Sequence, residues 1–409
     1  MFISFREAGN SGRRREYCLR MVQFGEHVLK KSISNRSEGC VSLSTASVGP
    51  LPLGRSAKAG HLPSLDGLRA ISIALVFLGH LSGTRRFPTL DLGIGDYAHL
   101  GVVVFFVISG FLITRLMLLE RAKNGDVSLK LFYARRTLRL FPASYTFIAC
   151  VCLLWLAGIV HLHARDIWHA VTYTVNFLPD RGKQIGHLWS LSVEEQFYLL
   201  WPCTFVVLGP RRAGWAAFGV ILFGPVARSC NWLFLRGTPY HDLEMFPMVA
   251  DSLAMGCLLA KLTGWLEVKN WYLQLFRPSV SLALVALVLL INRYMGYTIV
   301  SVFGTSVINV GLAVLIHRCV YCSKDLFGKF LNWKPIAFVG VLSYSLYLWQ
   351  QLFLNRESSA WSCTFPQNLV FAVAAALASY FLLEKPLLNL RRRLRAPGTS
   401  ETVPTAQSA

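Results

Sequence analysis

Arg69 and His80 sit at opposite ends of SLDGLRAISIALVFLGH (64–80), and the residues between them are apolar or small. As a helix, at ~1.5 Å per residue, the two lie roughly 16 Å apart, about half a bilayer core. One segment therefore carries a permanent cation at one membrane edge and a titratable imidazole well inside. Ionisable groups within a span cost roughly 2.5–3.5 kcal/mol each on insertion scales, so they are functional candidates by default. The alternative is plain anchoring, with Arg69 snorkelling to the headgroups and His80 acting as a packed polar contact. An imidazole at such a depth can accept a proton near neutral pH, as a general base does.

Further charged residues recur inside or beside apolar runs. HLWSLSVEEQFYLLWP (187–202) carries His187 and Trp189 at its start and the adjacent acids Glu194 and Glu195 about two turns in. Neighbouring positions on a helix point to different faces, so at least one acid should meet a buried partner. At a depth comparable with that of His80, a carboxylate beside the imidazole would fix its tautomer and raise its basicity. FYARRTLRLFPASY (132–145) puts Arg135, Arg136 and Arg139 on a short amphipathic helix expected to end at Pro142, with Arg135 and Arg139 on one face. Such a cluster anchors to anionic lipid or grips phosphate through guanidinium forks, and the stretch alone favours lipid. GVVVFFVISGFLIT (101–114) has Ser109 and Gly110 at its middle, where small residues let another helix approach. Asp66, Asp251 in VADSLAMGCLLA, and Tyr347 in SYSLYLWQQ complete the set of candidates for substrate contact or support.

These residues need a membrane scaffold to position them. Of the 409 residues, 54% are hydrophobic and only 15% charged, with mean hydropathy +0.46. Soluble domains carry about 25% charge. The reading is an all-α polytopic membrane protein of about ten transmembrane helices, near 67–84, 98–119, 141–160, 188–208, 213–230, 246–264, 279–292, 298–317, 336–354 and 366–388. The apolar segment 167–178 is too short to span and is expected at the interface or as a re-entrant piece. Residues 1–60, rich in Ser, Gly and Arg, read as a disordered cytoplasmic leader without a signal-peptide core, and Met21 is an alternative start. The membrane domain then covers 61–395 and a disordered cytoplasmic tail 396–409. Lys and Arg gather in the loops after the second, fourth, sixth, eighth and tenth runs, which places both termini in the cytoplasm of a plasma (inner) membrane protein. The net charge of +20 is distributed over these loops and does not form a nucleic-acid-binding module. The 10 cysteines are scattered, and Cys319 and Cys322 form a lone C-x-x-C that reads as two helix-end cysteines. No metal-ligand set stands out.

The ordered motifs, Arg69 and His80 with ten residues between them, GVVVFFVISGFLIT, ARRTLRLFP, HLWSLSVEEQFYLLWP, SYSLYLW and EKP, resemble the membrane acyltransferase family 3 over roughly residues 65–395. The resemblance implies transfer of an acyl group, often acetyl from acetyl-CoA as co-substrate, to hydroxyls of surface or exported sugars, with no permanently bound cofactor. It implies that His80 is the catalytic histidine with Arg69 paired to it, that Arg135, Arg136 and Arg139 face the acyl donor, and that Glu194 and Glu195 are the acidic pair. The expected partners are membrane lipids, acyl-CoA and a glycan or lipid-linked saccharide. Two positions depart from the family pattern: Val103 stands where an acid is frequent, and Gln350 where a histidine commonly ends the SYxxYLW motif. An amide cannot take a proton at neutral pH, so essential proton chemistry is not expected of Gln350. No hydrolase-like segment follows the last run, so the membrane domain is expected to act alone or with a partner. The rival reading is a transporter or glycan-export component. A transporter of that kind is built from two related halves, and no repeat of the Arg69–His80 or VEEQFY stretches occurs in the second half.

Overall fold

A computed structural model describes residues 62–92, 96–241, 243–296 and 298–393. The leader (1–60) and the tail (396–409) lie outside the described residues. Among those described there are helices and no strands. The principal helices are α1 Pro63–Leu81, α2 Tyr97–Asn124, α3 Leu129–Leu156, the short α4 Ala164–Val171 and α5 Lys183–Gly186, and α6 Leu188–Leu235. They continue with α7 Phe246–Leu266, α8 Asn270–Leu273, α9 Pro278–Arg293, α10 Thr298–Tyr321, α11 Leu326–Leu331, α12 Lys334–Trp349, α13 Gln367–Ser379 and α14 Lys385–Arg393. Local chemistry sets their ends. Asp96 caps α2 by accepting the His99 N–H at 2.9 Å, and Gly125 closes it at φ 83°.

All ten expected runs are helical. By length and apolarity seven helices can cross a membrane, or eight if the bent pair of Asn270–Phe276 and Pro278–Arg293 is one span. The count is lower than ten for two local reasons. The fourth and fifth runs are joined in α6, broken only at Gly209, whose φ of 73° and ψ of 164° lie outside the helical region and which precedes Pro210. Glycine takes that backbone without steric cost, and proline supplies no N–H to continue the ladder. The ninth run, α12, has only 16 residues before the chain tightens into the 3₁₀ turn Gln350–Leu352. The segment 167–178 is, as expected, a short helix followed by a single 3₁₀ turn.

Pro142 does not end the arginine-bearing helix: α3 runs through it to Leu156. One missing backbone bond is outweighed here because Leu140, Ala143 and Phe147, on either side of the proline, are all buried in the core.

The bundle packs most closely along α2 with α7, α6 with α7, α1 with α12, and α1 with α2. Small residues make these crossings. A Cβ on Gly110 would lie 1.9 Å from the Leu253 carbonyl oxygen, and one on Gly256 would lie 2.1 Å from that of Val107. The small residues at the middle of GVVVFFVISGFLIT therefore serve helix contact, and they set Ser109 against the interior.

Candidate active site

Five helices converge on a narrow cavity of about 80 Å³. Arg69 enters from α1, Ser109 from α2, Arg136 and Arg139 from α3, Ser190, Glu194 and Tyr198 from α6, and Ser343, Tyr344 and Tyr347 from α12. The apolar part of its wall includes Val102, Phe105, Ile108 and Leu112. The Ser109 hydroxyl donates to Glu194 Oε1 at 2.6 Å and lies 3.0 Å from the Tyr198 hydroxyl. The Arg136 guanidinium stacks over the Tyr198 ring, 4.1 Å from its centroid. Three arginines against one cavity carboxylate leave the lining net positive, which suits an anionic ligand.

Glu384, buried at the π-helical turn Tyr380–Glu384, lies within electrostatic reach of both Arg139 and Arg69. Its Oε1 accepts hydrogen bonds from Ser345 at 2.5 Å and Ser379 at 3.3 Å. The EKP motif thus supplies a second counter-charge to the arginines. The sequence analysis gave Glu384 no role, although an acid at the end of an apolar run was a signal available there.

The far end of the cavity is a hydroxyl pair. Tyr347 donates to the His187 carbonyl at 2.7 Å and lies 2.5 Å from Ser190 Oγ. Just past Tyr347 the chain turns, and both histidines of interest meet that turn. His187 Nε2 donates to the Leu348 carbonyl at 3.1 Å, and His80 Nδ1 lies 3.0 Å from Gln350 Oε1. An amide oxygen only accepts, so His80 carries its proton on Nδ1 and presents the Nε2 lone pair. His187 is also within electrostatic reach of His80.

The expected carboxylate beside the imidazole is therefore replaced by an amide. On α6, His187 is the residue level with His80, and Glu194 is about two turns further along, where it bonds Ser109. Glu195 points elsewhere, as adjacent acids must. One of its carboxylate oxygens is buried without a hydrogen-bond partner, and the phenols of Tyr145, Tyr173, Tyr198 and Tyr344 lie within its electrostatic reach.

The arginine cluster divides in a way that differs from the expected Arg135–Arg139 face. Arg136 and Arg139 line the cavity, and Arg135 turns outward to Glu120 at 3.8 Å. At 100° per residue Arg139 lies between the other two around the helix, so a cavity centred on Arg139 and Arg136 leaves Arg135 at its edge. Asp251 is remote from the cavity: fully buried, it pairs with Arg228 at 3.0 Å and accepts from Ser306 at 3.2 Å, a structural ion pair. Asp66 stays in the first turn of α1, where an acid complements the helix dipole, and its backbone carbonyl abuts Gly340. Trp189 packs edge-on against Phe106 and parallel to His99, behind the cavity wall.

The site's motifs, EKP excepted, lie within a region, residues 62–383, that matches an acyltransferase domain over most of the chain. The chain belongs to the acyltransferase 3 family. It is 26% identical over 369 residues to the peptidoglycan O-acetyltransferase OatA of Listeria monocytogenes, covering 83% of this chain and 56% of the relative. It is 30% identical over 319 residues to the O-acetyltransferase OatA of Staphylococcus aureus, covering 71% and 50%. It is 27% identical over 365 residues to the putative peptidoglycan O-acetyltransferase YrhL of Bacillus subtilis, covering 80% and 55%. The chain spans about half the length of these curated relatives. No solved structure matches. The chain thus carries a multi-pass membrane domain of this acyltransferase family, and the relatives named here are O-acetyltransferases, one of them putative.

Proposed function

We propose that the protein moves an acetyl group from acetyl-CoA, bound on the cytoplasmic side, to a sugar hydroxyl of a cell-envelope glycan. The reading rests on one observation above the others: Arg69, Arg136 and Arg139 share a single cavity with Glu194 and Tyr347, and Gln350, the partner of His80, follows Tyr347 by about one helical turn. The CoA phosphates bind the arginines as charge-assisted forks. The uncharged pantetheine arm runs along Phe105, Ile108 and Leu112 over the roughly 16 Å between Arg69 and His80. Gln350 holds the imidazole so that His80 Nε2 takes the proton of the acceptor hydroxyl. The oxygen attacks the thioester carbonyl, the C–S bond breaks, and the thiolate leaves with the proton that His80 returns. Glu194 faces the arginines and orients Ser109 and Tyr198. Loop charge favours a plasma-membrane orientation with both termini cytoplasmic, so that donor and acceptor approach from opposite faces.

The test is transfer of radiolabelled acetyl from acetyl-CoA to cell-wall glycan by purified protein in bilayers. Transfer by the parent and none by His80→Ala is the expected result. Equal transfer by both, or donor binding that is indifferent to Arg136 and Arg139, refutes the reading.

A further inference from the structure

A second cavity, of about 360 Å³, opens at the other end of the same bundle. It lies between the first turns of α2, α7 and α10 and the last turns of α6, the helix ends opposite Arg135. That volume falls near the lower end of the about 300–1,000 Å³ range of small-molecule sites.

Its polar lining has a consistent character. The charged members are already neutralised. Arg228 donates to Asp251, Ser306 and the carbonyls of Val302 and Met248, and Glu244 is held by Arg181 at 2.7 Å. The atoms left without partners are uncharged. They are Asn231 Oδ1, whose amide nitrogen is committed to the His241 carbonyl, together with His241 Nδ1 and the hydroxyl of Ser252, a residue 1% exposed. Buried polar atoms with no partner are costly unless a ligand or water meets them. Neutral donors and acceptors beside an indole, Trp232, match a neutral polyol better than an anion or an alkyl chain.

The cavity is also adjacent to the chemistry. Phe106 lines both cavities. His99 lines the second, and its neighbour Ala98 lies against Gly79, the residue before His80.

Resting on the O-acyltransferase reading, we propose that this second cavity is the acceptor site, binding neutral sugar rings through Asn231, His241 and Ser252 and so selecting which glycan is acetylated. Each such hydrogen bond contributes about two- to tenfold in affinity. The test uses the full chain, expressed in cells lacking the native protein and also purified. O-acetyl groups on enzymatically released wall fragments are counted by mass spectrometry, and radiolabelled acetyl-CoA binding is measured on the same variants. Asn231→Ala combined with Ser252→Ala is expected to cut glycan O-acetylation about tenfold or more, with acetyl-CoA affinity unchanged. Ser252→Thr, which keeps the hydroxyl, is expected to retain most of it. Normal acetylation in the double alanine variant overturns the proposal. So does a parallel loss of acetyl-CoA binding, which marks a folding lesion, and so does full acetylation in Asn231→Leu with Ser252→Leu, the result for a cavity filled by a lipid tail. A parent chain that neither binds acetyl-CoA nor acetylates glycan refutes the O-acyltransferase reading itself and is distinguishable from a loss confined to the variants.

Discussion

Removing the Gln350 side chain as Gln350→Ala tests the geometry most directly. Gln350 is fully buried, and its Oε1 is the hydrogen-bond partner of His80 Nδ1 at 3.0 Å. Without it, a buried N–H loses its acceptor, which costs about 1–3 kcal/mol. The imidazole is also free to adopt the other tautomer, which hides the basic lone pair. At 1.36 kcal/mol per tenfold, that is a loss of roughly 5- to 150-fold in kcat. Deleting the base itself, His80→Ala, is expected to cost about 10²–10⁴-fold. The KM for acetyl-CoA should stay unchanged in both, since neither residue lines the arginine cavity. Because an amide does not titrate, the shape of the pH–rate profile should also survive Gln350→Ala, with only its height reduced. Gln350→His, which restores a ring nitrogen as acceptor, should recover part of the rate. The assay is steady-state acetyl transfer by purified protein, with membrane insertion verified for each variant. A Gln350→Ala enzyme as inactive as His80→Ala would mean the amide does more than orient the ring, and one with full activity would mean that the 3.0 Å contact does nothing for catalysis.

Other outcomes follow from the same contacts. Arg136→Ala with Arg139→Ala should raise the acetyl-CoA KM roughly tenfold or more, partly rescued by excess donor, while Arg135→Ala, a residue tied to Glu120, should change it by less, as donor titrations will report. Glu194→Gln keeps an acceptor for Ser109 and is expected to disturb the donor KM more than kcat; a kcat collapse like that of His80→Ala would make Glu194 part of the proton chemistry. Gly110→Leu should abolish accumulation of folded protein, because its Cβ would lie 1.9 Å from a backbone oxygen, and size-exclusion chromatography in detergent reads this out. A membrane-impermeant thiol reagent should label a cysteine placed near Asp180 in intact cells but not one near Lys123, and the reverse pattern would invert the proposed orientation.

The parts of this molecule that were legible in the sequence are those where a charge interrupts an apolar run. Arg69, Arg136, Arg139 and Glu194 announced themselves that way, and all four share one cavity. Asp251 gave the same signal for another reason, since its counter-ion Arg228 lies on a different helix and the pair is structural. What was not legible depends on contacts between distant segments. Nothing near His80 in the chain reveals that its partner is residue 350, and the two acids at 194 and 195 were the obvious candidates. The run of α3 through Pro142 and the joining of two spans at Gly209 turn on burial and backbone dihedrals that no periodicity records. The second cavity was invisible because its unpartnered groups are uncharged side chains scattered over two helices and a loop.

The substitution of an amide for a titratable group beside His80 has a physical logic in this setting. A carboxylate there would place a second charge in a low-dielectric region, and its desolvation is repaid only if the imidazole stays protonated, which removes the base. An amide fixes the Nδ1 tautomer at the cost of one hydrogen bond and leaves the ring neutral. The charges that the site does need are kept about two turns away, where Glu194 and Glu384 face Arg69, Arg136 and Arg139 and can exchange partners with an anionic donor. Charge recognition and proton transfer are thus separated along the axis of α1. In that arrangement, changes at the arginine end act on donor affinity and changes at the His80 end act on turnover, and a variant at either end that moved both together would show that the two functions share one group.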